Sequence, residues 1–322
     1  LAQTVLLDVS FLQEARMTPT SPIDHRQPAK PVAKPADNGV IHGPVVRPAL
    51  PARPLPPAPT PEFAALLAAG EITPQEWIGR VRLAATCRLF AALGWEEPLC
   101  TQLTMRVPGT HGAVYLVPAF GVPLGAVGVR DIVRLSLDGQ ALATMRGEHR
   151  DGVPPSVDVA GFHPHAAIYA VRNDVHCILR IHTPAAVAVA CQGEGLRIDN
   201  AWGAQLAGRI ASHDFGGIDF DDEECIRIAK DLGGREVLIL RSLGFIAVGS
   251  SIENAWKTVS ILERSCQAQV ATESMSGANE PLTPTMARRC METYQAMEAR
   301  IVELRFDYAL GRAHVKLTDV LS

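Results

Sequence analysis

The sequence predicts an α/β layered domain. Strand-length apolar runs, as at 175–181 and 237–241, alternate with segments of helical periodicity along most of the chain. Hydrophobic residues make up 47% of the 322, enough for a sizeable core. The composition also changes sharply near Pro61, where a proline-rich arm gives way to the patterned remainder.

The arm is expected over 1–62. Prolines punctuate residues 18–62 and end in Pro48-Ala-Leu-Pro51-Ala-Arg-Pro54-Leu-Pro56-Pro57-Ala-Pro59. Proline fixes φ and removes a donor, so this stretch favours polyproline II or an irregular path over a helix or central strand. Phe63–Ala69 then reads as a short helix stopped by Gly70. Thr73-Pro74-Gln75-Glu76 is a helix start, with threonine as N-cap, proline at N1 and glutamate at N3. Trp77, Val81, Ala84, Leu89 and Ala92 supply its apolar face, and Gly94 ends it. Thr104–Val107 and Ala113–Val117 read as strands, with the turn placed at Pro108-Gly109.

Val129–Leu135 reads as a short helix entering a strand, and Asp138-Gly139 as the next turn. Phe162–Val171 is expected to be helical, with Pro164 near its start, and Val175–Ile181 a buried strand. Pro184–Cys191, Ala201–Ser212 and Asp221–Lys230 are expected helices, the last with an acidic first turn that suits a helix N-terminus. Val237–Arg241 and Phe245–Val248 form a strand pair around Leu243-Gly244. Ile252–Val270 and Pro284–Leu310 are long helices.

The formal charge of −4 and the lack of a basic stripe with interleaved aromatics argue against a nucleic-acid platform. No run reaches the ~18 apolar residues of a membrane helix. Leu1–Leu12 lacks a basic n-region and a cleavage site, so a signal peptide is not expected. The seven cysteines are widely spaced with no CxxC, which suits free thiols in a cytoplasmic protein. There is no GxGxxG, Walker loop or Gly-x-Ser-x-Gly elbow.

Several separated blocks carry a stronger signal. They are Leu83-Ala-Ala-Thr-Cys-Arg-Leu-Phe-Ala-Ala-Leu-Gly-Trp95, His165-Ala-Ala-Ile-Tyr169-Ala-Val-Arg-Asn-Asp174-Val, Ile181-His182-Thr183-Pro184-Ala185, Leu238–Gly249 and Ala255–Gln269. From about Trp77 to Val270 the chain resembles the class II aldolase/adducin family, in texture its adducin-like branch. The resemblance implies a class II aldolase-like three-layer α/β/α domain with a central, mostly antiparallel sheet over 63–275, followed by a C-terminal helical extension at 276–322. It also implies a ring-like assembly, most simply a homotetramer, in the cytoplasm.

The family's aldolases hold zinc with a His-x-His strand end and a third histidine before a glycine. The matching positions here are Arg180, His182 and Leu243, so two of three ligands are absent. The family's catalytic carboxylate, four residues before the helix histidine His165, is Gly161, and the asparagine of the phosphate turn falls at Thr101. Zinc catalysis needs about three protein ligands and an open position. A metal-dependent cleavage of a sugar phosphate is therefore not expected, nor is any metal or other cofactor.

Arg180 places a fixed positive charge where the dication would have sat, suited to a substrate carboxylate or enolate. The plain alternative is that it pairs with a carboxylate of the protein. His163 lies near the lost carboxylate and suits a base near pH 7. With His165 and His182 it is also a candidate rebuilt metal site, although His163 and His165 sit on different helix faces. The catalytic candidates are His163, Arg180 and His182. Thr101, Asp199, Asn200 and His213 are candidates for substrate binding, against the plainer reading of Asp199 and Asn200 as turn formers. Tyr169 reads as a core or interface aromatic.

Two classes of function stand. One is a repurposed metal-independent enzyme of lyase, decarboxylase or cyclase type, acting on a small molecule with a carbonyl or carboxylate. The other is a catalytically silent adducin-like protein that works by binding or assembly, with the Pro-rich arm engaging a partner or locking subunits together.

Overall fold

Thr73 begins the first long helix as the sequence predicts, its hydroxyl accepting from the Glu76 N–H at 3.1 Å and Pro74 filling the first helical position. The computed structural model describes residues 55–97, 102–142, 156–214, 216–217, 220–276 and 279–321. All of them belong to a unit running from Ala52 to Ser322. The arm as far as residue 54, and Thr101, lie outside the described residues.

Helix α1 (Pro61–Ala69) ends on Gly70 at φ 71°, and α2 spans Pro74–Ala92. Strands β1 (Leu103–Gly109) and β2 (Gly112–Pro118) form a hairpin. Its turn falls at Thr110-His111 rather than Pro108-Gly109, because those two residues stay in register opposite Ala113 and Gly112. A 3₁₀ turn at Val129–Asp131 leads into β3 (Ile132–Leu135). Helix α3 (Val159–Val171) starts three residues before the expected Phe162. Asp158 caps it by accepting from the Gly161 N–H at 2.9 Å, so Pro164 lies inside the helix instead of marking its start.

Strand β4 (Cys177–Ile181) comes next, then α4 (Pro184–Ala190). The helix expected at Ala201–Ser212 is not formed. Gly203 opens a single 3₁₀ turn, Gly208 takes φ 72°, and Ile210–His213 becomes strand β5, paired with Val237–Leu240. Glycine at both points breaks helical continuity, and the sheet edge captures the segment beyond Gly208. Helix α5 (Asp222–Leu232), β6 (Val237–Leu240), β7 (Gly244–Gly249), α6 (Ile252–Ser274) and α7 (Pro284–Arg312) complete the chain.

The seven strands run in the order β3-β2-β1-β4-β7-β6-β5, antiparallel at every pairing except β5–β6. Helices α2, α4 and α6 cover one face, and α3 and α5 the other. This is the three-layer architecture with a mostly antiparallel sheet. Helix α7 packs on α6, and its Phe306 and Leu310 join the core of the α2 face, so the C-terminal helix completes that core. Among the described residues no helix is long and apolar enough to cross a membrane.

Strand alternation decides what faces the two layers. Leu103, Met105 and Val107 of β1, with Cys177, Leu179 and Ile181 of β4, enter the α2-side core. The intervening positions Thr104, Arg106, Ile178 and Arg180 therefore face α3 and α5. Arg106 closes the end of α3 by donating to the carbonyls of Tyr169, Arg172 and Asn173. A cation there satisfies orphan carbonyls and suits the helix dipole.

Candidate functional site

The chemistry collects where β4 and the β6–β7 turn meet. His182 comes just after the last residue of β4. Its Nδ1 lies 2.7 Å from the Leu243 carbonyl, and its Nε2 lies 3.1 Å from Nε of Arg180. A carbonyl only accepts and a guanidinium only donates. The ring must therefore carry its proton on Nδ1 and present the Nε2 lone pair to Arg180. Gly244 permits this closeness. It sits at φ 145°, and a Cβ there would come 2.3 Å from the Ile181 carbonyl and 3.0 Å from His182 Nδ1. The preceding Ser242 takes φ 61°, completing a tight turn.

Arg180 is 4% exposed. Its guanidinium carbon stands 5.5 Å from the centre of the Phe220 ring, a cation–π arrangement. Its backbone N–H donates to the Gln102 carbonyl at 2.9 Å. Below it, His165 is fully buried with Nδ1 2.9 Å from the Thr104 hydroxyl, which lies 3.0 Å from the Tyr169 hydroxyl. Tyr169 in turn donates to the Thr104 carbonyl. Each contact receives its own proton when Thr104 donates to Tyr169 and accepts from His165 Nδ1–H. That leaves Nε2 of His165 as a bare acceptor, and it has no hydrogen-bond partner. Burial, and then the charge of Arg180, hold the His165 pKa well below the usual histidine range, so the ring is neutral.

A cavity of about 430 Å³ opens at the N-terminus of α3, and Arg180, His182 and His165 are not among the residues that line it. Gln102 joins it to the cluster, since its main chain is pinned to Arg180 while its side chain lines the cavity. Gln102 donates to Asp158 Oδ2 at 2.7 Å, and Glu96, Phe120 and Asp158 also contribute to the wall. A Cβ at Gly161 would meet Asp158 Oδ2 at 2.2 Å and Gln102 Nε2 at 2.4 Å. The Asp158 carboxylate thus occupies the space that a side chain at 161 would fill.

The other sequence candidates lie apart from this cluster. His163 flanks the Asp138-Gly139 turn, its Nε2 3.9 Å from where a Cβ on Gly139 would stand. His165 faces the opposite way, toward β1, so α3 does not bring the two rings together. Asp199 pairs with Arg197 at 2.9 Å, and Asn200 accepts from the Trp202 and Gly203 N–H groups at 3.0 Å, as turn residues do. His213 sits between Asp231 (2.7 Å) and Glu224 (2.9 Å), and Arg227 also binds Glu224. These bonds, led by His213, outweigh desolvation and hold the Glu224 carboxyl below its usual range. Among the described residues no group of three or more His, Cys, Asp or Glu could hold a metal ion.

Gln102, Asp158 and Phe220 escaped the sequence reading. Asp158 had a findable signal, an Asp-x-x-Gly entering a helical pattern, which is an N-cap spacing. Phe220 had none, since its stacking on Arg180 depends on a non-local approach.

A family model described as "Class II Aldolase and Adducin N-terminal domain" matches residues 81–270. Alpha-adducin of Rattus norvegicus is 38% identical over 204 residues, covering 63% of this chain and 27% of the adducin. An aldolase II superfamily protein from Pseudomonas syringae superposes with a TM-score of 0.68 at 31% identity, covering 76% of this chain and 95% of that one. An L-fuculose 1-phosphate aldolase from Glaciozyma antarctica PI12 gives a TM-score of 0.61 at 25% identity, covering 78% and 99%.

Proposed function

The chain belongs to the class II aldolase and adducin family, and from that membership we propose that it is a metal-independent enzyme acting on a small molecule with a carbonyl or carboxylate, by lyase, decarboxylase or cyclase-type chemistry. The observation that carries this reading is the hydrogen bond from Arg180 Nε to His182 Nε2. The lone pair that would ligate zinc is engaged by a guanidinium, and the other ring nitrogen is committed to the Leu243 carbonyl. Arginine and leucine at the two remaining ligand positions offer no donor to a metal. This donor set does not fit a zinc ion.

In the proposed mechanism Arg180 supplies a permanent positive charge. Placed out of water over Phe220, it stabilises a substrate carboxylate or a developing enolate more strongly than an exposed cation would. His182 is its positioning partner. Asp158 stands in the space where the family resemblance expects a carboxylate, and it lines the cavity, so it is the group placed to take a proton from bound substrate. His163 is the alternative base, and loss of activity in His163→Ala but not Asp158→Asn would select it. We also infer a homotetramer, which light scattering at micromolar concentration checks and a lone monomer would refute.

A second reading is an adducin-like binding protein without catalysis, favoured by the 38% identity to alpha-adducin. Calorimetric titration with small keto acids such as pyruvate and oxaloacetate separates the two. The enzyme reading expects saturable binding that weakens about 10²-fold in Arg180→Ala. No binding by the folded wild type, or binding indifferent to Arg180→Ala, would overturn it.

A further inference from the structure

Away from this cleft, on the α2 side of the sheet, a groove of about 660 Å³ runs between α6 and α7. Its size lies within the range of small-molecule sites, roughly 300–1,000 Å³. Its walls are of two kinds. Trp95, Trp202 and Tyr308 present aromatic faces, Trp202 being 41% and Tyr308 68% exposed. Arg264, Arg305 and Arg312 line the same groove. None of these three arginines forms a hydrogen bond or ion pair with a described residue.

Two nearby carboxylates are committed elsewhere. Glu263, the acid in the groove wall, accepts from Thr183 and from Gln267. Glu298, two turns before Arg305 on α7, binds Arg209 and Lys257. Burial first, and Arg264 after the opposing influence of Tyr294, disfavour the charged form of Arg305. Like charges held together over an aromatic wall are what an incoming anion would relieve.

We propose that this groove binds a small polyanion carrying a planar ring, of the nucleotide class. The anionic groups are gripped by Arg264, Arg305 and Arg312, and the ring stacks on the exposed faces of Trp202 or Tyr308.

The test uses the full chain and tryptophan fluorescence, with adenosine 5′-diphosphate as probe and adenosine and inorganic phosphate as partial probes. The proposal expects saturable quenching by the diphosphate, at least tenfold weaker binding of each partial probe, and a tenfold or greater loss in Arg305→Gln. The exposed pair Arg264→Gln/Arg312→Gln, which leaves the core intact, should weaken binding similarly. Absence of saturable quenching, or affinity unchanged in both variants, would overturn the proposal. So would self-association of the wild type that disappears in the double variant, because the groove would then belong to a second copy of the chain.

Discussion

Arg80 and Arg180 are both buried, 2% and 4% exposed, yet they are held in opposite ways. Arg80 lies on the α2 side. Its fork donates to Glu76 Oε1 at 3.0 and 2.9 Å and to the carbonyls of Val129 and Ile132, and Arg134 approaches the same carboxylate at 3.3 Å. That knot ties α2 to β3, and every part of it is protein. Arg180 faces the other layer, gives its Nε to a neutral imidazole, and lies over a phenyl ring. The first arrangement commits its charge to architecture. The second sets a cation against an imidazole and an aromatic face, with its main chain bonded to Gln102 of the cavity wall.

The largest expected effect separates these roles. Arg80→Ala leaves Glu76 buried with its main fork partner gone and should cost about 3–5 kcal/mol in denaturant unfolding. Arg180→Ala should cost less stability but about 10²-fold in substrate binding or rate. Equal stability losses with no functional difference would erase the contrast.

Gly244→Ala sharpens the Arg180 side of the comparison. A Cβ at that φ collides with the Ile181 carbonyl and crowds His182 Nδ1, so a loss of about 1–3 kcal/mol is expected, with substrate affinity falling alongside. An unperturbed alanine variant would mean that the histidine clamp is not set by this turn.

His165 gives a pH signature. Its folded pKa is depressed, so above the ordinary histidine value both folded and unfolded rings are neutral and the group contributes no pH dependence. As pH falls below about 6.5, the unfolded ring takes a proton that the folded one refuses, and stability declines by up to about 1.4 kcal/mol per pH unit from this group. His165→Asn should flatten that part of the stability–pH curve relative to wild type, and superimposable slopes would contradict the assignment.

The smallest effect belongs to the surface. Arg172 holds Asp174 down at about 2, through paired hydrogen bonds at 2.8 and 2.7 Å. Because Asp174 is 67% exposed, the pair contributes only about 0.2–1 kcal/mol. That contribution is present above the unfolded pKa near 3.9 and is lost as pH falls toward 2. Asp174→Asn should match wild type once both are measured near pH 2.

Much of the layered fold was legible because it is written in periodicity and caps. Thr73, Asp221 and the 237–249 strand pair mark their elements locally. The 201–212 segment misled because its apolar residues fit either a helix or a sheet edge, and only the neighbouring β6 decides between them. The candidate cluster was half legible. Arg180 lies near the end of β4 and His182 just past it, two residues on, so local sequence brings them forward together. Asp158, Gln102 and Phe220 reach the cluster from separate segments, and no local pattern announces such a meeting.

The central claim is that Arg180 replaces a metal at His182. Nitrogen-15 NMR of histidine-labelled protein, with His182 assigned through His182→Gln, tests it most directly. The account predicts a protonated Nδ1, an unprotonated Nε2, and a spectrum unmoved by one equivalent of zinc. A proton on Nε2, or a shift of His182 nitrogen on adding stoichiometric zinc, would contradict it.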